Sequence, residues 1–339
     1  MTEYFDIKRL KVTFSTFFGP RQVLDLEDLV IEKGQSYGLV GESGSGKSVL
    51  GLAILNLLAS PPAAIEGEIV LDGQSLLALS QEDMRHVRGR KIAMIFQDPM
   101  SALNPVFTVG DQIVRVVRNS KGVSGREAQK VARETIELVE LPDPDNIMVK
   151  YPHQLSGGQR QRIIIGMALA CGADFLIADE PTRNLDVTIQ AGILKLLANL
   201  RKELHVTVLF IANNLGLVSA VCDRVGILLG GRIVETGAVR EVVRQPAHPY
   251  TITLLRAIPK HKRERVEVRR QADEEHALGD IPGCGFIDRC ADKIDACATG
   301  RPLLRQIDGT THLVACGRPW RGGEEDDRGA TDESTVARA

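Results

Sequence analysis

The chain has 339 residues, enough for one large domain with an appendage or for two modest domains. Hydrophobic residues make up 43 % and charged residues 25 %, with a net charge of -2, which is ordinary for a globular protein and lacks the basic excess typical of nucleic-acid binding. No apolar run reaches the ~18–20 residues that span a bilayer, and residues 1–9 lack a signal-peptide core. We therefore expect a cytosolic protein that contacts a membrane only through a partner.

Apolar strands alternate with helices along the chain, which predicts an α/β fold. Residues 5–33 alternate apolar and polar side chains around Gly19-Pro20, which indicates an antiparallel strand pair. The strands predicted after this pair span residues 36–40, 67–73, 91–96, 175–178, 206–211, 225–229 and 232–235. The predicted helices span residues 47–58, 156–170 and 187–204, and residues 97–151 are predicted to be rich in helices and loops.

The strongest motif is a glycine-rich loop between a predicted strand and a predicted helix. It reads Gly41-Glu42-Ser43-Gly44-Ser45-Gly46-Lys47-Ser48 and matches the phosphate-loop pattern G-x-x-x-x-G-K-[ST]. Backbone N–H groups of such a loop converge on phosphate oxygens, and the following helix N-terminus adds a favourable dipole. We expect Lys47 to neutralise the β- and γ-phosphates of ATP and Ser48 to hold Mg²⁺. The other expected nucleotide contacts in the loop are Gly41, Ser43, Gly44 and Gly46.

A second motif places two carboxylates at the end of an apolar strand. The run Phe175-Leu176-Ile177-Ala178 leads directly into Asp179 and Glu180. We expect Asp179 to hold Mg²⁺, directly or through water, and Glu180 to act as the general base toward the attacking water. Many strands end in acidic turns, so this motif gains its meaning from the phosphate loop.

A third motif decides the family. Leu155-Ser156-Gly157-Gly158-Gln159 stands before a predicted helix and matches the LSGGQ signature, so the chain resembles the nucleotide-binding subunits of ABC transporters. In that family two ATPases face head to tail, and the signature of one closes over the ATP held by the other. The hydroxyl, N–H groups and helix dipole of such a motif suit a γ-phosphate. The ATP contacts implied here are Ser156, Gly157, Gly158 and Gln159.

The resemblance also implies a fold and further site residues. The fold is an ABC-type P-loop ATPase, with a RecA-like core, an antiparallel β subdomain and a helical signature subdomain over about residues 98–170. Gln97 resembles the Q-loop glutamine, which contacts metal and water and reports to the permease, and residues 184–186 resemble the D-loop. Phe18 resembles the aromatic residue that stacks on adenine. Phe14 and Phe17 stand nearby, and a place in the core is the alternative.

One position departs from the family pattern. After the strand over residues 206–211 the family places a switch histidine that contacts the γ-phosphate and orients the catalytic water, and here Asn213 takes that position. Asparagine forms hydrogen bonds but carries no positive charge and shuttles no proton. The D-loop also begins with Arg183-Asn184, where small residues are usual. We therefore expect ATP binding with impaired hydrolysis at this chain's own site, and a distinct, histidine-bearing ATPase as its partner in a heterodimer.

Three short segments resemble the dipeptide, oligopeptide and nickel import group: residues 97–105, 151–154 and 248–251. This implies an ATPase that energises import of di- or oligopeptides, or of related solutes such as nickel chelates or glutathione. The implied partners are two membrane permease subunits and an extracytoplasmic solute-binding protein, with no nucleic acid. The implied location is peripheral, on the cytoplasmic face of the bacterial inner membrane. The implied division is an ATPase domain over 1–258, a cysteine-bearing extension over 259–320 and a disordered tail over 321–339.

Four of the six cysteines cluster near the C-terminus with the spacing C-x5-C-x6-C-x18-C: Cys284, Cys290, Cys297 and Cys316. A reducing cytosol disfavours disulfides, and the spacing differs from the paired knuckles of zinc ribbons. Four thiolates can hold a [4Fe–4S] cluster, as the extension is reported to do in some members of the import group. Zinc is the second candidate, and four small buried apolar side chains are the alternative. Cys171 and Cys222 are expected in the core.

Two other functional classes stay open. One is a soluble ABC ATPase of translation or DNA repair, which usually carries two ATPase units or a long coiled coil. This sequence has one phosphate loop and no heptad run. The other is a soluble ABC ATPase with an iron–sulfur regulatory or sensing role. Co-purification with a permease, or with ribosomes or DNA, distinguishes these classes.

Overall fold

The computed structural model describes residues 3–98, 102–258, 283–307 and 309–319, and every structural statement below concerns those ranges. Its strands are β1 (Glu3–Thr16), β2 (Gly19–Glu32), β3 (Ser36–Val40), β4 (Ala63–Leu71), β5 (Gln74–Ser75), β6 (Ile92–Ile95), β7 (Phe175–Asp179), β8 (Thr207–Ala212), β9 (Arg224–Leu229), β10 (Arg232–Ala238), β11 (Arg305–Gln306) and β12 (Leu313–Val314). Its α-helices are α1 (Lys47–Ile54), α2 (Gln81–Val87), α3 (Val109–Lys121), α4 (Gly125–Leu138), α5 (Pro144–Val149), α6 (Gly157–Ala170), α7 (Val187–Leu204), α8 (Leu215–Val221), α9 (Val239–Arg244), α10 (Pro249–Arg256) and α11 (Ala296–Thr299).

The strands form two sheets. The first is antiparallel, with the order β2-β1-β4-β5, and the predicted strand pair over residues 5–33 is confirmed as β1 and β2. The second has the order β11-β12-β10-β9-β3-β8-β7-β6. Its strands β9, β3, β8, β7 and β6 are parallel, whereas β10, β12 and β11 pair antiparallel. The α/β fold with an antiparallel β subdomain is therefore confirmed.

The parallel strands are apolar because both of their faces are covered. On one face Leu39, Ile177 and Leu209 join a core shared with the antiparallel sheet and α1. On the other face Val208 and Phe210 join a second core that includes the helices after β6. This sandwich fixes the carboxyl ends of β3, β7 and β8 side by side, so the motifs that follow these strands meet at one edge.

The helices α3, α4 and α6, which lie between β6 and β7, each begin with a side-chain cap. Thr108, Ser124 and Ser156 accept hydrogen bonds from backbone N–H groups in the first turns of α3, α4 and α6. Gly166 of α6 allows close packing against Thr135 of α4, which positions the start of α6 and therefore the signature. The predicted boundaries of the helical subdomain, about 98 and 170, stay predictions, and residues 99–101 lie outside the described part.

The cysteine-bearing extension joins the main sheet. Strand β12 pairs with β10 through Glu235 and Val314, and Phe286 is buried in the second core. The predicted tail over 321–339 lies outside the described residues, as do residues 259–282 of the predicted extension. Within the described ranges, no helix has the length and apolar character needed to cross a membrane.

Candidate ATP site

The glycine-rich loop connects β3 to α1 and depends on glycine at two positions. Gly46 has a φ of 103°, and a Cβ added there would lie 2.7 Å from Leu24 Cδ2. A Cβ on Gly41 would collide with the backbone oxygen of Leu228. The left-handed conformation and the tight neighbours exclude other residues, because a side chain would push the loop out of its cradle. The loop thus has the shape that the phosphate-loop motif predicts.

Lys47 is held inside this loop. Its Nζ donates hydrogen bonds to the backbone oxygens of Gly41 and Glu42, each at 2.8 Å. Burial lowers the pKa of Lys47 to about 8, although the negative charges of Glu180, Asp179 and Glu42 act in the opposite direction. A phosphate group beside this amine would favour its charged form. The loop thus holds Lys47 in place for an anion, whose negative charge would offset the cost of burying the charged amine.

Asp179 is the last residue of β7, and its carboxylate is buried. The residue is 3 % exposed, and within the described residues its buried Oδ1 has no hydrogen-bond partner. Burial raises the pKa of Asp179, while a hydrogen bond with Ser48 acts against this shift. A carboxylate oxygen without a partner beside a serine hydroxyl suits Mg²⁺, which prefers oxygen ligands. Asp179 and Ser48 are thus the residues that would hold the ion, which neutralises phosphate charge when bound.

Glu180 is gripped by three side chains. Asn213 Nδ2 donates to its Oε1 at 2.5 Å, and Gln97 Nε2 donates to its Oε2 at 3.4 Å. Arg183 forms an ion pair with the same Oε2 at 3.2 Å. The structure therefore places two of the predicted catalytic residues, Gln97 and Asn213, in contact with the third, Glu180. Glu180 has a φ of 46°, a conformation typical of functional sites.

The role of Arg183 was missed by the sequence reasoning. Arg183 was identified only as an unusual start to the D-loop, yet its guanidinium contacts the proposed base. The signal was available, because a side chain three residues after an acid at a strand end is within reach of it. Glu180 and Arg183 are also joined through their backbones, with Arg183 N donating to Glu180 O at 3.0 Å.

The turn between β1 and β2 exposes two aromatic rings. Phe18 is 96 % exposed and Phe17 is 97 % exposed, with their rings in edge contact at a centroid distance of 5.5 Å. Phe14, by contrast, packs against the core. The core alternative therefore holds for Phe14 and is wrong for Phe17, and the exposed Phe18 ring is available to stack on a base. Adenine stacking by Phe18 stays a prediction.

The signature forms the start of α6. Ser156 Oγ accepts a hydrogen bond from Gln159 N at 3.2 Å, and Gln159 Oε1 accepts one from Ser156 N at 3.0 Å. This reciprocal capping box gives Ser156 and Gln159 a local structural role that the sequence reasoning did not assign. Gly158 lies against Ile189 of α7, and Gly157 lies near Leu185 of the D-loop. Contacts of the signature with ATP on another subunit stay a prediction.

The four C-terminal cysteines share one small cavity with His248. Its volume is about 10 Å³, room for one water molecule at most. Burial raises the pKa of Cys316 to about 11 and also raises the pKa values of Cys284 and Cys290. In the described part of the chain, no group of three or more His, Cys, Asp or Glu side chains is arranged to hold a metal. The donor set suits a cluster, but its arrangement does not support the predicted [4Fe–4S] or zinc site.

The two remaining cysteines differ in their surroundings. Cys171 is buried, as expected for a core residue. Cys222 is half-buried, and its Sγ accepts a hydrogen bond from Ser36 Oγ at 3.4 Å. Burial raises the pKa of Cys222 to about 12, so its thiol is neutral at physiological pH.

The fold and the site together define a P-loop ATPase. Comparison with known proteins narrows this class. The family described as "ABC transporter" matches residues 24–183, and "Oligopeptide/dipeptide transporter, C-terminal region" matches residues 234–297. The chain is 45 % identical over 260 residues to the oligopeptide transport ATP-binding protein OppD of Bacillus subtilis, covering 76 % of this chain and 73 % of that protein.

A second relative and a solved structure are also similar to this chain. The dipeptide transport ATP-binding protein DppD of Bacillus subtilis is 40 % identical over 318 residues, covering 93 % of this chain and 95 % of that protein. A solved ATP-binding cassette, dimeric and bound to ADP and Pi in a post-hydrolysis state, is 27 % identical with a TM-score of 0.61. That likeness covers 70 % of this chain and 99 % of the solved chain. The chain belongs to the ABC-transporter family as an ATP-binding subunit, an ATPase whose family couples ATP hydrolysis to transport.

Proposed function

We propose that the chain energises the import of di- or oligopeptides through a membrane permease. The observation that carries the proposal is the match to both parts of the peptide-transport ATPases, because the likeness to DppD extends over 318 residues and includes the C-terminal region. Related solutes such as nickel chelates or glutathione are the alternatives. The proposed partners are two permease subunits and an extracytoplasmic solute-binding protein, and the proposed location is the cytoplasmic face of the inner membrane.

Reconstitution tests this function. The chain, its permease subunits, the partner ATPase and the solute-binding protein are assembled in liposomes, and ATP hydrolysis is measured with and without a mixture of short peptides. We expect peptide-stimulated hydrolysis and peptide uptake, both abolished by Lys47→Ala. Stimulation by nickel chelates or glutathione alone would replace the peptide assignment. Co-purification of the chain from cells with ribosomes or DNA, and without a permease, would favour a soluble ABC ATPase.

We also propose that this chain pairs with a second, distinct ATPase and hydrolyses its own ATP slowly. The support is Asn213, whose amide is engaged with Glu180 Oε1 at 2.5 Å. An amide in this position neither carries charge to the γ-phosphate nor shuttles a proton. The signature at residues 155–159 is complete and would serve the partner's ATP normally.

A third proposal concerns the cysteine cavity. We propose that the four cysteines that line this cavity rearrange to hold a [4Fe–4S] cluster, with zinc as the alternative. The site must rearrange around the metal, and the raised thiol pKa values mean that binding releases protons. Anaerobic purification with iron and zinc analysis tests this. A colourless protein without metal, unchanged by serine at Cys284 or Cys316, would leave the four cysteines as packing residues.

We keep the predicted division of the chain as a proposal: residues 1–258 form the ATPase domain and 259–320 the extension. The support is that the described structure after residue 283 lies against β10 and the second core rather than continuing the helical part. Production of residues 1–258 alone tests the division, and we expect this fragment to fold and to bind Mg-ATP.

A further inference from the structure

Two contacts from the C-terminal part of the chain meet at one residue of the phosphate loop. The buried hydroxyl of Tyr250 accepts a hydrogen bond from Glu42 N at 2.9 Å. The guanidinium of Arg289 donates to Glu42 Oε1 at 2.8 Å. Glu42 is the second residue of the glycine-rich loop, and its backbone oxygen accepts one of the hydrogen bonds that hold Lys47. The C-terminal part thus reaches the loop that binds phosphate.

Both contacts originate beside the cysteines. We call residues 284–297 the cysteine segment. Arg289 directly precedes Cys290, and a short 3-10 helix over Ile287–Arg289 ties it back to Cys284. The backbone of the segment is closed on itself, since Cys284 N donates to Cys297 O at 2.8 Å. A shift of the cysteines therefore moves Arg289 with them.

Tyr250, at the start of α10, is also connected to the cysteine segment. Phe286 of the cysteine segment packs on the Tyr250 ring at a centroid distance of 5.5 Å. His248 Nδ1 accepts a hydrogen bond from Tyr250 N at 3.1 Å, while its Nε2 faces Cys284 Sγ at 4.0 Å. Arg289 also lies over the Phe286 ring, with its guanidinium carbon 5.0 Å from the centroid. Arg289 and Tyr250 are thus both packed on Phe286, and together they connect the cysteines to Glu42.

We propose that Tyr250 and Arg289 are positioning residues that hold the phosphate loop in its nucleotide-binding shape through Glu42, and so couple the cysteine segment to ATP affinity. Neither residue needs to touch the nucleotide. Tyr250 fixes the backbone of Glu42, and the Glu42 carbonyl in turn fixes Lys47. The coupling requires only the packed segment and holds whichever solute the transporter carries.

The two contacts differ in expected strength. Glu42 and Arg289 side chains are 46 % and 43 % exposed, so their ion pair changes affinity about two- to fivefold. The Tyr250 hydroxyl is buried, and removing it leaves the Glu42 N–H without its acceptor. We expect Tyr250→Phe, which keeps the ring and its packing, to weaken nucleotide binding about five- to tenfold.

The experiment measures the Kd of the purified full-length chain for a fluorescent Mg-ATP analogue. Arg289→Ala is combined with Glu42→Gln in a double-mutant cycle. We expect Arg289→Ala to weaken binding about two- to fivefold in the wild-type chain and to have no effect in the Glu42→Gln background. Arg289→Lys, which keeps the charge, should recover part of the affinity. Arg305→Ala, at an exposed position on β11, is the matched control and should leave the Kd unchanged.

Two results overturn the proposal. An equal loss from Arg289→Ala in both backgrounds means that Arg289 acts through packing or touches the nucleotide itself, rather than through Glu42. A Tyr250→Phe chain that unfolds at the wild-type temperature and binds ATP as tightly as wild type means that the Glu42 backbone needs no support. These results concern the isolated chain, so they are independent of whether peptide import is correct.

A second measurement tests the coupling from the side of the cysteine segment. Coupling is reciprocal, so nucleotide binding must stabilise the cysteine segment by the same factor. Hydrogen exchange of the amides of Cys284, Ile287 and Arg289, which are hydrogen-bonded within the segment, is followed with and without Mg-ATP. We expect exchange to slow with Mg-ATP in the wild type, and this slowing to be about two- to fivefold smaller in Arg289→Ala, which keeps the Tyr250 contact. Equal slowing in both proteins contradicts the coupling through Arg289.

Discussion

The lowered pKa of Lys47 predicts that ATP binding weakens sharply at alkaline pH. The lysine is buried, and desolvation brings its pKa to about 8 before nucleotide binds. A phosphate beside Nζ favours the charged amine, so the pKa of the bound form lies well above 8. Above pH 8 the free protein must take up a proton in order to bind ATP. The Kd should therefore rise about tenfold between pH 7 and pH 9 and about tenfold again between pH 9 and pH 10.

The assay is a titration of the full-length chain with Mg-ATP by calorimetry between pH 7 and pH 10, in buffers of different ionisation enthalpy. About one proton should be taken up per ATP at pH 9 and almost none at pH 7. Lys47→Arg is the control, because arginine keeps its charge throughout this range. Whatever its absolute affinity, that variant should show no such pH dependence.

The sign of the stability effect is opposite to that of binding. Without nucleotide the unfolded chain holds the Lys47 proton up to its ordinary pKa of about 10.5, whereas the folded chain releases it near 8. The unfolded state binds more protons in this window, so this residue makes unfolding harder as pH rises.

A wild-type Kd for Mg-ATP that stays flat from pH 8 to pH 10 would refute the binding prediction, because it would show that Lys47 remains charged in the empty site.

Further predictions concern the same site. In the assembled transporter, Glu180→Gln should reduce hydrolysis much less than the matching change in the partner ATPase, and equal losses would end the asymmetry proposal. Asn213→His should raise turnover at this site, by up to about 10²–10³ where one preorganised contact is restored; unchanged turnover would show that asparagine suffices. Phe18→Ala should weaken ATP binding by about 1–3 kcal/mol with an unchanged unfolding temperature, because the ring is exposed. Ser156→Ala should lower stability by ~1 kcal/mol through the lost cap, seen in thermal denaturation, and should slow hydrolysis of the partner's ATP.

Elements with strong local signals were predicted closely from the sequence. The helix over residues 187–204 is confirmed with both ends correct, since Asp186 caps its start and His205 takes a left-handed conformation at its end. The buried strand over residues 36–40 is confirmed as β3, and all five of its residues are buried, as expected for a short buried strand beside a glycine-rich turn. The helix predicted over residues 47–58 ends earlier, at Ile54, and Asn56 already has a φ of 49°.

Features that depend on distant contacts were not predictable. Strands β11 and β12 have two residues each, too few for a periodic pattern, and they form because β10 offers a free edge. The ion pair between Glu42 and Arg289 joins residues 247 positions apart. Motif matching found the phosphate loop and the signature because each is a contiguous run. It could not find what supports them, because the supporting side chains come from elsewhere in the chain.

The side-chain contacts of Glu180 bear directly on the proposal that this chain hydrolyses its own ATP slowly. Its three partners lie on three separate loops: Gln97 after β6, Arg183 in the turn after β7, and Asn213 after β8. The family resemblance predicts that the first loop reports to a permease and that the second reaches across an ATPase dimer. The position of this carboxylate therefore depends on all three loops at once. Asn213 donates to Glu180 Oε1, whereas Gln97 and Arg183 both contact Oε2. Replacing Asn213 thus tests whether that bond readies the base for water or restrains it.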